Sequence, residues 1–235
     1  MIIKPKIRGF ICTAAHPVGC AESVKQQVNY IKQQPAFDGP TNALIVGSST
    51  GYGLASRIAL AFGAQAKTIG VAFEKSAQGK RTASAGWYNT AAFEKLAMEE
   101  GLYAKSLNGD AFSNELKQQT ADLIKNDLGK IDCLVYSLAS PRRIHPDSGE
   151  VFSSVLKPLK ESYTNISVDP LTGVMQEITL QPANQQEVDD TITVMGGDDW
   201  SRWVAFLREH DLLAENFKTV AYSYIGPEMT FPIYT

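Results

Sequence analysis

The order of apolar and polar positions predicts strands that alternate with helices from about residue 42 onward. The predicted elements of this half are strands at residues 42–46, 67–73, 103–107 and 131–137, and helices at 54–62, 89–100 and 113–128. Residues 83–87 are predicted to form a loop. Alternation of strand and helix is typical of a parallel sheet covered by helices.

The regular alternation ends near residue 140, where Pro141 begins a long connection. The pattern there predicts a β-hairpin from residues 163–169 and 174–180, with a turn at Pro170-Leu-Thr-Gly173. Two further helices and a fifth strand are predicted at residues 185–195, 198–210 and 218–224. Right-handed crossovers then give the strand order 3-2-1-4-5. The predicted fold class is α/β, a Rossmann-type doubly wound parallel sheet with an inserted hairpin.

This pattern divides the chain into four segments. They are an N-terminal extension packing on the sheet (1–41), a dinucleotide-binding core (42–140), an inserted hairpin with helices of the substrate region (141–217), and the fifth strand with the start of the catalytic segment (218–235).

Composition and charge indicate a packed globular protein, since 44% of the residues are hydrophobic and 20% are charged. The 22 Lys and Arg against 25 Asp and Glu give a net charge of -3, which disfavours nucleic acid as a partner. No apolar run has the length of a signal-peptide core or a membrane span. These observations predict a cytoplasmic protein with no membrane partner.

Three cysteines, Cys12, Cys20 and Cys133, are predicted to be free thiols because their number is odd. Cys12, His16 and Cys20 are evenly spaced, as zinc ligands often are. A structural zinc site needs four ligands, and no fourth candidate follows at a familiar spacing. We therefore predict a structured loop here and no metal.

A glycine-rich turn, Gly47-Ser-Ser-Thr-Gly-Tyr-Gly53, follows the first predicted strand and precedes a helix. Glycines let a backbone approach a pyrophosphate, and the following helix offers its free N–H groups to the anion. Any tight strand-to-helix turn can also use glycine. The candidate phosphate-binding residues are Gly47, Ser48, Ser49, Thr50, Gly51 and Tyr52.

The choice of cofactor depends on Glu74, at the end of the second predicted strand and 21 positions after Gly53. A carboxylate there accepts hydrogen bonds from the adenosine ribose hydroxyls and repels a 2'-phosphate, which favours NADH over NADPH. The alternatives are a solvated surface acid, or a phosphate site formed by the nearby cations Lys75, Lys80 and Arg81.

Two residue pairs after the third and fourth strands complete the candidate cofactor site. Asp110 and Ala111 stand where this fold usually lines the adenine pocket, and Leu138 and Ala139 where it lines the nicotinamide ribose pocket. Either pair alone would be ordinary turn sequence.

Tyrosine and lysine spacing distinguishes classes of reductase, because hydride addition builds negative charge on an oxygen that a tyrosine hydroxyl stabilises. The common short-chain dehydrogenases use Tyr-x3-Lys, and the smaller enoyl reductases use Tyr-x6-Lys. Counting from Tyr222 and Tyr224, neither spacing ends on lysine; the residues found there are Gly226, Glu228, Met229 and Phe231. A carbonyl reductase is therefore disfavoured.

Five segments together carry a specific resemblance. They are Ile2-Ile-Lys-Pro-Lys-Ile-Arg-Gly-Phe-Ile-Cys-Thr-Ala-Ala-His-Pro-Val-Gly-Cys20, Gly47-Ser-Ser-Thr-Gly-Tyr-Gly-Leu-Ala-Ser-Arg57, Phe73-Glu74, Gly86-Trp-Tyr-Asn89 and Ala221-Tyr-Ser-Tyr-Ile-Gly-Pro-Glu228. The chain resembles the large single-chain trans-2-enoyl reductases: the trans-2-enoyl-CoA reductases and the FabV-type enoyl-acyl-carrier-protein reductases.

The resemblance implies a short-chain-dehydrogenase-like fold and NADH-dependent reduction of the C2–C3 double bond of a trans-2-enoyl thioester in fatty-acid synthesis. The thioester is carried on CoA or on acyl carrier protein, and the sequence does not choose between them. Phe73 and Glu74 would meet the adenosine, Tyr224 would contact the acyl thioester, and Tyr234 would donate the proton.

The same family uses Tyr-x8-Lys, and the lysine counted from Tyr234 falls beyond Thr235. We therefore expect the chain to be one piece of a longer enzyme, with an unfinished sheet at its C-terminus and little activity alone. An unfinished sheet edge would permit self-association. The alternative from another class is a non-catalytic nucleotide-binding module.

Overall fold

The computed structural model describes residues 2–8, 11–169, 171–223 and 227–233. The chain forms two compact units, the first made of Met1–Leu138 with Arg202–Tyr222 and the second of Ala139–Ser201 with Ser223–Thr235. The four-part division made from the sequence stays a prediction.

The first unit holds most of the regular structure. In chain order its elements are β1 (Ile7–Arg8), β2 (Ile11–Cys12), α1 (Pro17–Lys32), β3 (Asn42–Val46), α2 (Gly51–Ile58, continued by a π-helical turn at Ala59–Gly63), β4 (Lys67–Ala72), α3 (Ala85–Glu99), β5 (Ala104–Asn108), α4 (Asn114–Asp127) and β6 (Ile131–Tyr136).

The second unit consists of two short antiparallel ribbons and helices. Its elements are β7 (Arg142–Ile144), β8 (Val151–Ser153), β9 (Tyr163–Val168), β10 (Met175–Leu180), α5 (Gln185–Met195), the start of α6 (Asp198–Glu209) and a 3₁₀ helix (Glu228–Ile233). After α6 the chain forms β11 (Leu213–Ala221), which belongs to the first unit.

A five-stranded parallel sheet is the centre of the first unit, in the order β11-β6-β3-β4-β5. This is the strand order predicted from the crossover rule, and it confirms the doubly wound α/β fold. β3 is the middle strand, and Ala43, Leu44, Ile45 and Val46 are fully buried. A strand is apolar on both faces when helices cover both faces of the sheet.

Parallel strands also bring their carboxyl ends to one edge of the sheet. The segments that follow β3, β4, β5 and β6 therefore lie at the same edge. These segments contain the candidate cofactor-binding residues predicted from the sequence.

The predicted hairpin is confirmed, with Tyr163 paired to Leu180 and Val168 to Met175. Its turn residue Pro170 lies outside the described residues. The predicted helices at residues 185–195 and 198–210 correspond to α5 and α6.

Several element boundaries were wrong. The helix predicted from residue 54 begins at Gly51, and the fifth strand ends at Ala221 instead of residue 224. Gly86 and Trp87 were predicted to lie in a loop, but α3 begins at Ala85. The fifth strand begins at Leu213 instead of residue 218. Its pairing with β6 has a register shift between Leu213 and Lys218. Such an irregularity interrupts the alternation by which a strand is recognised.

The segment around His16 was wrongly predicted as a loop, because it starts a helix. His16 is the N-cap of α1, and its Nδ1 accepts a hydrogen bond of 3.2 Å from Gly19 N. Pro17 at the first helical position is typical of such a start. The three cysteines are free thiols, as predicted.

Helix α1 packs against α2 and α3, the helices on one face of the sheet. The buried cluster that joins these helices consists of Val24, Val28, Leu54, Ile58, Ala61, Phe62, Phe93 and Ala97. The N-terminal segment thus contributes core residues to the first unit. No helix among the described residues has the length and apolar character needed to cross a membrane.

We predict that Val28→Ala lowers the free energy of unfolding by about 2 kcal/mol, because it removes buried methyl groups from this cluster. Val28 is 2% exposed, whereas Val18 on the same helix is 67% exposed. Val18→Ala is the matched control and should change stability by less than about 0.5 kcal/mol. Urea unfolding followed by circular dichroism measures both, and equal losses would show that α1 is not part of the core.

Candidate functional site

The turn after β3 is held close to two neighbouring strands. The backbone N–H groups of Gly47 and Ser48 both donate to the carbonyl oxygen of Val71, at 2.9 and 3.0 Å. Gly47 has a φ of +84°, and a side chain there would overlap the carbonyl oxygen of Ser137. Only glycine satisfies both the backbone angle and the space.

The same turn leads directly into α2, which begins at Gly51. A side chain at Gly53 would overlap the carbonyl oxygen of Gly47, so the helix packs tightly on the turn. Thr50 is the N-cap, and its side chain makes no capping hydrogen bond. The first-turn N–H groups of a helix have no partner within the helix, so this end of α2 favours an anion.

Tyr52 lies on the exposed side of this turn, with 70% of its surface accessible. Its ring stacks on the ring of Tyr222, with centroids 5.4 Å apart and planes at 24°. The Tyr222 hydroxyl lies 2.8 Å from Ser56 Oγ, which fixes that ring against α2. The sequence reasoning gave Tyr222 no role.

Glu74, two residues after the end of β4, has its carboxylate between the turn and α3. Its Oε1 accepts a hydrogen bond of 2.5 Å from Ser49 Oγ, and its Oε2 accepts one from Ser84 Oγ. A side chain at Gly86, in the first turn of α3, would overlap the carboxylate. Glu74 is therefore a held side chain, and this geometry disfavours the interpretation of a freely solvated surface acid.

The backbone at Glu74 is also fixed. Asn108, the last residue of β5, accepts from Glu74 N at 2.7 Å and donates to Glu74 O at 3.0 Å. Phe73 beside it is 72% exposed at the same edge of the sheet. The structure thus places the Glu74 carboxylate against Ser49 of the glycine turn, with Phe73 next to Glu74 in the chain.

The pair after β5 is ordered by two kinds of contact. Asp110 Oδ1 accepts from Phe112 N at 3.0 Å, which closes a local turn. The carbonyl oxygen of Ala111 accepts from the buried Lys117 Nζ at 3.0 Å and from Trp203 Nε1 at 3.2 Å. Ala111 is nearly buried, so Asp110 is the more accessible of the two residues.

The pair after β6 is divided between the compact units. Leu138 is half-buried at the end of a segment of the first unit, and its backbone nitrogen lies 3.2 Å from where a Gly47 side chain would begin. Ala139 is exposed and is the first residue of the second unit. Leu138 therefore belongs to the neighbourhood of the glycine turn.

A buried cation lies beneath the turn. Arg57 is completely buried and donates to Thr68 Oγ1, Ser106 Oγ and Lys105 O. Burial lowers the pKa of Arg57 to about 10, and the charge of Glu94 opposes that shift. The guanidinium thus stays charged at neutral pH. A side chain at Gly70 would overlap Arg57, so a residue larger than glycine does not fit at this strand position.

The two predicted tyrosines of the reaction, Tyr224 and Tyr234, lie outside the described residues. Within residues 2–8, 11–169, 171–223 and 227–233, no group of three or more His, Cys, Asp or Glu could hold a metal ion.

Sequence reasoning missed four residues that shape this site: Ser84, Gly86, Asn108 and Arg57. Ser84 is the N-cap of α3, and Gly86 lies in the first turn of that helix. A serine N-cap is a sequence feature that would have placed the helix start correctly. Their contact with Glu74 is tertiary and has no local pattern.

The strand order, the glycine turn and the helix that follows it define a Rossmann-type doubly wound protein. Residues 2–79 match the profile described as the NAD(P)H binding domain of trans-2-enoyl-CoA reductase. Residues 81–235 match the profile of the trans-2-enoyl-CoA reductase catalytic region. The chain belongs to the trans-2-enoyl-CoA reductase family.

Individual relatives agree with this family. The chain is 60% identical to the trans-2-enoyl-CoA reductase (NADH) of Ruminiclostridium cellulolyticum, covering all of this chain and 59% of that protein. It is 60% identical to the enoyl-acyl-carrier-protein reductase (NADH) of Coxiella burnetii, covering all of this chain and 58% of that protein. The chain therefore spans somewhat more than half the length of these relatives.

A solved structure gives the same result for the fold. The trans-2-enoyl-CoA reductase of Treponema denticola, crystallised in complex with NAD, superposes with a TM-score of 0.94 at 48% identity. The match covers all of this chain and 60% of that one.

We predict that Gly47→Ala lowers the free energy of unfolding by more than about 3 kcal/mol, because backbone strain adds to the overlap with Ser137. Gly51 has a φ of +54° but open space around it, so Gly51→Ala is the matched control with backbone strain alone. Its expected loss is about 1 kcal/mol. Urea unfolding compares the two, and similar losses would show that the approach to Ser137 is unimportant.

Proposed function

We propose that this chain binds NADH and forms the nucleotide-binding part of an NADH-dependent enoyl-thioester reductase. The observation that carries the proposal is the position of Glu74, held beside the glycine turn at the carboxyl edge of the sheet. Membership of the trans-2-enoyl-CoA reductase family supports it, as do the relatives named as NADH enzymes.

The residues present fit a dinucleotide. The start of α2 and the turn at residues 47–52 would hold the pyrophosphate, because Gly51 is open and Thr50 leaves the first-turn N–H groups uncapped by its side chain. The Glu74 carboxylate would accept the adenosine ribose hydroxyls. Phe73, Asp110 and Ala111 would lie toward the adenine, and Leu138 and Ala139 toward the nicotinamide.

The proposed reaction is reduction of the C2–C3 double bond of a trans-2-enoyl thioester to the saturated acyl thioester, a step of fatty-acid synthesis. NADH supplies the hydride when it is bound. From the family resemblance, Tyr234 would donate a proton and Tyr224 would contact the thioester. A tyrosine hydroxyl suits this role because it stabilises the negative charge that develops on the thioester oxygen.

The acyl carrier is CoA or acyl carrier protein, and the names of the two relatives include one of each. A cytoplasmic location and self-association both stay predictions. For self-association, β11 pairs with β6 alone among the described residues, so its other side is a sheet edge.

A non-catalytic nucleotide-binding module is the second candidate. It shares the turn and Glu74 with the reductase, so it predicts the same cofactor binding. The two candidates differ over Tyr234: the non-catalytic module predicts that replacing this tyrosine leaves turnover unchanged.

We predict that the 235-residue chain binds NADH at least tenfold more tightly than NADPH, and that Glu74→Ala lowers that ratio about tenfold, equivalent to about 1.4 kcal/mol. Calorimetric titration with both nucleotides measures the ratio. Glu22→Ala, which removes an exposed acid of α1, is the control and should leave it unchanged. Tighter binding of NADPH by the unaltered chain would contradict the choice of cofactor.

We predict a catalytic role for Tyr234 that can be measured in a hybrid of this chain with the remaining C-terminal part of the Ruminiclostridium cellulolyticum relative. Tyr234→Phe should lower kcat for a trans-2-enoyl-CoA by about 100-fold to 1000-fold, the usual cost of losing a hydrogen-bond donor to a developing oxyanion. NADH affinity should stay the same. Oxidation of NADH is followed by its absorbance, and an unchanged kcat would favour the non-catalytic module.

A further inference from the structure

The carboxylate of Glu74 is held by more than the strand that carries it. Three residues from two segments close on it: Ser49 of the glycine turn, and Ser84 and Gly86 at the start of α3. We propose that Ser84 and Gly86 are positioning residues that determine cofactor specificity, by fixing Glu74 in the orientation that rejects a 2'-phosphate. This inference rests on the proposed binding of NADH.

The hydroxyl of Ser84 has one proton and two acceptors in reach. Its distance to Lys75 O is 3.2 Å, and its distance to Glu74 Oε2 is shorter. The charged carboxylate is the stronger acceptor, so the proton lies toward Glu74. Ser84 Oγ in turn accepts from Lys75 N at 3.0 Å, which holds the hydroxyl in place.

Each carboxylate oxygen thus has one serine hydroxyl as donor. An ionised carboxylate offers about four acceptor positions, so two positions remain for the two ribose hydroxyls. The serines therefore do not compete with the ribose. They leave the carboxylate oriented before the nucleotide arrives, which lowers the cost of ordering it on binding.

Orientation matters more for rejection than for attraction. A mobile glutamate can rotate away and make room for a 2'-phosphate. A glutamate held at both oxygens and at its backbone must break two charge-assisted hydrogen bonds to do so. The discrimination against NADPH then comes from the whole arrangement and not from the carboxylate alone.

Gly86 has the complementary role of leaving space. An added side-chain carbon would lie 2.7 Å from Ser49 Cβ and would overlap the Glu74 carboxylate. Gly86→Ala should therefore push Glu74 out of its position. Asn89 Nδ2 donates to Ser49 O at 3.0 Å, so α3 also holds the turn that carries the other serine.

The test is a double-mutant cycle on the 235-residue chain, with NADH and NADPH affinities measured by calorimetry. Ser84→Ala should lower the NADH to NADPH affinity ratio about fivefold to tenfold, and Gly86→Ala by at least as much. Ser84→Thr keeps the hydroxyl and should preserve the ratio. Ser23→Ala, on the exposed face of α1, is the remote control.

The decisive comparison is made in the Glu74→Ala background. Residues that act through Glu74 should change the ratio by less than about twofold once that carboxylate is gone. A residue with a merely structural role would weaken both nucleotides equally in either background, and that result would overturn the proposal. Thermal unfolding of each variant identifies loss of the fold.

The outcomes also separate this inference from the proposed function. If the chain binds NADH with the expected preference and Ser84→Ala and Gly86→Ala leave the ratio unchanged, the positioning role is wrong and the function stands. If the unaltered chain binds neither nucleotide, both are wrong.

Discussion

The first unit depends on the close approach between the turn after β3 and the end of β6. Side chains at Gly47 and Gly53 would each overlap a backbone carbonyl oxygen, so their absence lets β3, α2 and β6 meet at one point. The approach fixes where α2 begins and which way its first-turn N–H groups face. Those groups would be the physical basis for the proposed anion site at this edge of the sheet.

The proposed site would attract one phosphate group and repel another. The helix start, together with the buried charge of Arg57, would favour the pyrophosphate of a bound dinucleotide. In the proposed function, Glu74, held beyond the neighbouring strand end, would oppose a further phosphate on the ribose. Affinity and selectivity would then depend on different elements. Ser49 joins these elements because it belongs to the turn and donates a hydrogen bond to Glu74.

The sequence predicted the sheet well because its information is local. The apolar runs of β3 and β4 and the alternation of the hairpin each lie within a few consecutive residues, and the structure confirms these strands. It also confirms that a helix follows the glycine-rich segment. The start of β11 could not be predicted from the sequence, because a register irregularity interrupts the alternation of apolar and polar residues along this strand. The contacts of Ser84, Gly86 and Asn108 with Glu74 join separate segments, so only the folded chain reveals them.

The proposed NADH site lies at the carboxyl edge of the sheet, at the glycine turn and Glu74. Backbone amide chemical shifts recorded while the 235-residue chain is titrated with NADH test it most directly. If NADH binds at the glycine turn and Glu74, the largest changes lie at residues 47–53, 73–74 and 108–111. Changes concentrated in residues 140–201 of the second unit, or no changes at saturating NADH, would contradict it.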